Sequence, residues 1–201
     1  MSKNIRELFQ LALESIDTNT TQEIEYVFFI KLDTNALTIL EENAYHTEEQ
    51  EQWEHHVSRP DGKKVTVRVR AVDDKKYILC SKLNLPNELG KQEVELPTTK
   101  EMFEHFKVFS NTGTRKKRFK LKAEGGLVWE VDVYVDRYGS LHPWAKVDLE
   151  VPNKETPIPP FPFDFDRSEA ILTQPKKRSK EEMDKVDALF NEYNLSAYHC
   201  A

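Results

Sequence analysis

Six short stretches place like charges two residues apart, and a seventh carries a lone lysine. The acidic ones are Glu23/Glu25, Glu93/Glu95, Glu130/Asp132 and Asp148/Glu150; the basic ones are Arg68/Arg70 and Lys116/Arg118, with Lys82 added. On an extended strand, residues i and i+2 share a face, with Cα atoms about 7 Å apart. Like charges so close repel unless opposite charges or ions lie between them. One such pair is an ordinary solvated face. Seven charged faces imply that the faces look at one another. Clustered carboxylates bind hard divalent cations, and clustered Arg and Lys bind phosphate oxygens. Together they describe a site for a polyphosphate and its metal ion.

Strands must position these residues. In Val128–Val135, Trp129, Val131, Val133 and Val135 alternate with Glu130, Asp132 and Tyr134, which is the period of a half-buried strand. The same alternation reads through residues 23–32, 65–70, 76–83, 92–96, 116–122 and 144–151. Turn chemistry separates them at Arg59–Lys63, Asp73–Asp74, residues 84–87 and Asp136–Gly139. Helical periodicity runs over residues 5–16, and from Ser179 through Tyr193. A capping box, Thr98 with Glu101, opens a helix carrying Met102, Phe103, Phe106 and Phe109. Thr47 is expected to cap a Glu/Gln-rich helix through about Val57. His55 and His56 are adjacent, point to different sides and read as surface residues. A proline-rich stretch, Pro152 to Pro162, is expected to leave the sheet in extended form.

The arrangement that lets charged faces meet is a closed barrel with a charged interior and an apolar exterior covered by amphipathic helices. We therefore expect an α+β fold: an eight-stranded antiparallel β-barrel, or tunnel, in one domain over residues 1–201. Its core would span 20–152, followed by the proline-rich segment and a last helix over 153–201.

Composition narrows the partners. The chain has 201 residues and a formal net charge of -6, with 38% hydrophobic and 32% charged residues. The acidic balance argues against a general nucleic-acid binder. No apolar run approaches a membrane span, and no signal-peptide h-region opens the chain. Cys80 and Cys200 make no disulfide framework. These features point to a cytoplasmic protein with no membrane partner.

In their order, the charged pairs resemble those of the CYTH superfamily, the triphosphate tunnel metalloenzymes. The opening Glu-x-Glu-x-Lys is similar to Glu23-Ile24-Glu25-Tyr26-Val27. Arg-x-Arg is similar to Arg68-Val69-Arg70, and the basic residue and acidic pair that follow are similar to Lys82 and Glu93-Val94-Glu95. Lys-x-Arg resembles Lys116-Lys117-Arg118, and the Trp-Glu-Val-Asp strand is Trp129 to Asp132. The final acidic pair resembles Lys146-Val147-Asp148 or, slipped by two, Asp148-Leu149-Glu150. The likeness spans Glu23 to Glu150. Two positions depart from it: Val27 stands where the pattern has lysine, and Lys146 where it has an acid.

The resemblance implies metal-dependent hydrolysis of a triphosphate, either inorganic tripolyphosphate or a nucleoside or thiamine triphosphate, with Mg²⁺ or Mn²⁺. It implies metal ligands among Glu23, Glu25, Glu130, Asp132, Asp148 and Glu150. Arg68, Arg70, Lys82, Lys116 and Arg118 would bind the triphosphate. Glu23, Glu25, Glu95 and Lys146 form the implied catalytic set. The partner would be a triphosphate-bearing small molecule or nucleotide, and the reading admits a homodimer. The alternatives are a non-catalytic nucleotide- or phosphate-binding protein on the same scaffold and an adenylyl cyclase of the class IV type. The basic run Lys176-Lys177-Arg178 reads as a solvated helix entry or as a closure for one mouth of the tunnel.

Overall fold

The computed structural model describes residues 21–58, 64–84, 91–110, 112–136, 138–168 and 170–172, together with Glu7, Gln10, Glu14, Asp184, Ala188 and Glu192. Those last six positions are helical and exposed. Otherwise the expected helices at 5–16 and 179–193, the turns at 59–63 and 85–87 and the run 176–178 lie outside the described residues.

Ten strands form one antiparallel sheet: β1 (Thr21–Glu23), β2 (Glu25–Lys31), β3 (His46–Ser58), β4 (Lys64–Val72), β5 (Lys76–Asn84), β6 (Lys91–Pro97), β7 (Thr112–Lys122), β8 (Val128–Val135), β9 (Trp144–Glu150) and β10 (Ile171–Leu172). Among the described residues, the α-helices with defined bounds are α1 (Thr34–Asn43) and α2 (Lys100–Phe109). The strand order is β1-β6-β5-β4-β3-β7-β8-β9-β2-β10.

The α+β class stands, but the closed eight-stranded barrel does not: the hydrogen-bonded order has two ends, at β1 and β10. The physical reason lies in residues 21–31. This run is interrupted at Ile24, whose carbonyl accepts from Val151 N at 2.8 Å. Residues 21–23 pair with β6, whereas 25–31 pair with β9.

Strands β2, β4, β5, β7, β8 and β9 send alternate residues to an apolar layer. Val65, Val67, Val69 and Ala71 of β4 pack with Leu79 and Leu83 of β5 against Met102, Phe103 and Phe106 of α2. A second cluster joins Phe28 and Ile30 of β2, Phe119 and Leu121 of β7, Trp129, Val131 and Val133 of β8, and Ala145, Val147 and Leu149 of β9. Leu40 of α1 packs into it. The proline-rich segment is irregular and folds back onto this layer. Phe161 makes edge-on contacts with Phe28 and Trp129, its ring centroid 5.4 Å from each.

Three local expectations are corrected. Residues 47–57 are not a helix but most of β3, thirteen residues long and paired on both sides, with β4 and β7. The helix-capping threonine of α2 is Thr99 rather than Thr98; its Oγ1 accepts from Met102 N at 3.3 Å. Helix α1 was not anticipated. Asp33 caps it, accepting from Ala36 N at 2.8 Å, and Ala36 and Leu40 are its buried residues. The Asp73–Asp74 turn forms where expected, with φ values of 52° and 50°; Asp tolerates this left-handed region better than most residues.

Candidate polyanion and metal site

The residues alternate to those in the apolar layer line one cavity of about 830 Å³. Strands β2 to β9 all contribute. Basic groups come from β4 and β5 (Arg68, Arg70, Lys82), from β7 (Lys116, Arg118, Lys120) and from β9 (Lys146). Acidic groups come from β2 (Glu25), β3 (Glu48, Glu54), β6 (Glu93, Glu95), β8 (Glu130) and β9 (Asp148, Glu150).

On the β4–β6 side, Arg68 Nη2 lies 3.2 Å from Glu93 Oε1, and Lys82 Nζ lies 2.5 Å from Glu93 Oε2. Arg70 Nη2 meets Glu95 Oε1 at 2.5 Å. Cys80 donates its thiol proton to Glu93 Oε1 at 2.5 Å. Burial pushes that thiol up to about 12, despite the lowering effect of Arg68. Cys80, Glu93 and Glu95 converge closely enough to share an ion. However, a protonated thiol and a carboxylate already paired with two cations are weak ligands.

On the β7–β9 side, Asp132 is fully buried. Its Oδ1 accepts from Arg118 Nε at 2.6 Å, and its Oδ2 accepts from Arg118 Nη2 at 2.8 Å and Lys116 Nζ at 2.5 Å. Burial opposes ionisation of this carboxyl, but Arg118 and Lys116 together hold it well below the usual carboxylate range. Burial and the neighbouring Arg118 push the Lys116 ammonium down to about 7. Arg118 and Lys120 also pair with Glu130. Lys146 Nζ lies 2.7 Å from Asp148 Oδ1 and 2.8 Å from Oδ2. Burial disfavours its charge, but Asp148, Tyr134 and Glu25 outweigh that and raise its pKa.

Across β2 and β9, Glu25 stands opposite Glu150; across β8 and β9, Glu130 stands opposite Asp148. Burial first, then Glu130 and Glu25, raise the Glu150 carboxyl. Two adjacent like-charged pairs of hard oxygen donors are suited to Mg²⁺ or Mn²⁺. The donor chemistry of this wall fits a divalent ion, although among the described residues the acidic or sulfur ligand atoms that converge within reach of one ion are those of Cys80, Glu93 and Glu95.

Of the expected site residues, Glu25, Arg68, Arg70, Lys82, Glu95, Lys116, Arg118, Glu130, Lys146, Asp148 and Glu150 line the cavity. Asp132 lies behind that lining, under Lys116 and Arg118. Glu23 is described by its backbone alone, paired with Lys91. Sequence reasoning missed the β3 wall of Glu48, Gln52 and Glu54. The register sets Glu54 opposite Arg68 and Glu48 opposite Arg118, so charge complementarity was the signal that could have found it.

No family model and no curated protein sequence matches the chain. Solved structures do. The inorganic triphosphatase NE1496 is similar at 21% identity, over 81% of this chain and 93% of its own, with a TM-score of 0.45. HpAC1 from Hippeastrum, a putative adenylyl cyclase described as having a dominant triphosphatase activity, is similar at 11% identity, over 86% and 88%, with a TM-score of 0.43. PH1819 from Pyrococcus horikoshii OT3 is similar at 13% identity, over 84% and 89%, with a TM-score of 0.43. None of these likenesses assigns a role to a residue here. Among the described residues no helix is long and apolar enough to cross a membrane.

Proposed function

We propose that the chain is a divergent member of the CYTH superfamily that hydrolyses a triphosphate with the help of a divalent metal ion, Mg²⁺ or Mn²⁺. The observation that carries this reading is the mixed lining of a single cavity, with basic and acidic side chains converging from eight strands.

Glu25 and Glu150, with Glu23, would hold the ion, and Glu130 and Asp148 would join them by giving up Arg118, Lys120 and Lys146 to the polyphosphate; the ion would draw charge from the phosphoryl oxygens. Arg68, Arg70, Lys82, Lys116 and Arg118 bind and orient the polyphosphate and offset charge as the anhydride bond breaks. Asp132 keeps Arg118 and Lys116 aimed into the cavity. Glu95, bonded to Arg70, is placed to accept a proton from an attacking water.

A second reading, a phosphate-binding protein without turnover, is favoured by Val27. This side chain is fully buried and stands opposite Asp148, where the family pattern has a lysine. One experiment separates the two: phosphate release from tripolyphosphate and from ATP, with Mg²⁺ or Mn²⁺, in wild type and in Glu23→Ala/Glu25→Ala. Metal-dependent release that disappears in the variant is the expected result. A folded wild type that binds tripolyphosphate and releases nothing would sink the hydrolase in favour of the binder.

A further inference from the structure

Strands β2, β8 and β9, which carry Glu25, Glu130, Asp148 and Glu150, form an acid-rich wall of the polyanion cavity. Behind that wall lies a second cavity, of about 300 Å³. Phe28 of β2 and Trp129 of β8, which alternate with the acidic face, line it from the sheet. The returning segment supplies Pro159, Pro160, Phe161 and Arg167. None of these residues lines the polyanion cavity.

Two polar groups at this second cavity are left unanswered by the fold. Trp129 is 1% exposed, yet its Nε1–H finds no hydrogen-bond acceptor among the described residues. A buried donor without a partner is costly and calls for one. The Arg167 guanidinium lies over the Phe28 ring, and no described carboxylate pairs with it. Its place is nonetheless fixed. Lys31 N bonds Asp166 O at 2.8 Å, Ser168 N bonds Phe29 O at 2.9 Å, and Phe29 N donates to Ser168 Oγ at 3.0 Å. Both groups flank one ring: the guanidinium carbon is 5.5 Å from the Phe28 centroid, and the Trp129 ring is 5.6 Å from it.

The chemistry of the lining selects a ligand. Indole and guanidinium donate hydrogen bonds and cannot accept them, and the other walls are aromatic or aliphatic. A matching molecule has an apolar body and an accepting, negatively charged head. One guanidinium balances one charge, and its fork fits a carboxylate; a phosphate dianion would be left half compensated. Phe28, Trp129 and Phe161 meet edge-on, with centroids 5.4 to 5.6 Å apart, an arrangement that a further ring extends. The volume equals about ten water molecules at ~30 Å³ each, which suits a single ring with a short acid chain. Exposed Pro160, Arg167 and Ala170 mark the mouth.

We propose that this second cavity binds a small aromatic monocarboxylate, its head held by Arg167 and Trp129 Nε1–H and its ring packed against Phe28, Trp129 and Phe161. The site stands whether or not the polyanion cavity turns over a triphosphate.

The test is titration of the full chain with 3-phenylpropionate, followed by the nitrogen-edited proton signals of the three tryptophan indoles. The Trp129 signal is expected to move and saturate, with a Kd of about 1 mM or lower for a ligand of about eleven heavy atoms; those of Trp53 and Trp144 stay in place. 3-Phenylpropanamide, which lacks the charge, and acetate, which lacks the ring, are expected to bind about tenfold more weakly or worse. Arg167→Gln changes an exposed side chain, and the unmoved remainder of its spectrum establishes that it is folded. It is expected to weaken 3-phenylpropionate about tenfold and to leave the amide unaffected. Saturating tripolyphosphate is expected to displace nothing.

A Trp129 signal that stays put overturns the proposal, as does equal affinity for acid and amide. So does a folded Arg167→Gln protein that keeps full affinity. Displacement of 3-phenylpropionate by tripolyphosphate overturns it too, by placing the acid in the polyanion cavity.

Discussion

Asp132 shows how much a single side chain can be asked to hold in this cavity. It has no exposed surface, and both its oxygens are taken by Arg118 and Lys116. Removing one partner of such a group strands a buried charge. Arg118→Ala should therefore cost about 3–5 kcal/mol, read as a lower urea midpoint with an unchanged slope; a loss below about 1 kcal/mol would mean that Lys116 alone satisfies Asp132. The pH dependence follows from the sign of the shift. The folded pKa of Asp132 is depressed, so its contribution is full above the unfolded value of about 3.9 and is lost as pH falls through the folded value. Glu150 is shifted the other way, and metal binding requires its ionised form. Added Mn²⁺ should therefore raise the melting temperature more at pH 8 than at pH 5. Equal shifts at both pH values would remove Glu150 from the ligand set.

Between strands, fit is set by a few contacts that have no signature in the sequence. Gly113 on β7 pairs with Trp53 on β3, and a Cβ at 113 would come within 2.6 Å of the indole ring. Gly113→Ala must displace that ring, over which the Lys107 ammonium lies 5.1 Å from the centroid. We expect a loss of about 1–3 kcal/mol in urea unfolding, smaller in a Trp53→Leu background, where there is no ring to clash. This same strand marks where sequence reading stops. The apolar alternation of β4, β8 and β9 could be read directly, and with it the inward set of Arg68, Arg70, Glu130, Asp132, Lys146 and Asp148. β3 could not. Glu48, Gln50, Gln52 and Glu54 alternate with Glu49, Glu51 and Trp53, so it is polar on both faces and carries no period-two contrast. Its strand form comes from two neighbours, β4 and β7, whose basic residues its acids meet. Likewise α1 is a ten-residue helix with two buried residues, too weak a stripe to stand out.

The described residues rest on two separate apolar layers rather than one, and this divides the cavity's support. The layer under β2, β7, β8 and β9 backs the acid-rich wall, whereas the layer of β4, β5 and α2 backs Arg68, Arg70 and Lys82. The irregular segment after β9 reinforces only the first. Phe161 fills the space between Phe28 and Trp129, Arg167 lies over the Phe28 ring, and β10 pairs with β2. Lys31 N bonds Asp166 O at 2.8 Å, and Ser168 N bonds Phe29 O at 2.9 Å, so the returning chain is stitched along the strand that carries Glu25 and Val27. Phe161→Ala leaves a hole beneath two strands of that wall, β2 and β8, and should cost about 3–5 kcal/mol. The loss should also be local. Amide exchange should quicken in β2, β8 and β9, with much smaller changes in β4 and β5, because regions supported by different contacts open separately. Equal acceleration in all five strands would show that the two layers unfold as one, and that the charges bridging the cavity couple its walls more tightly than their separate cores suggest.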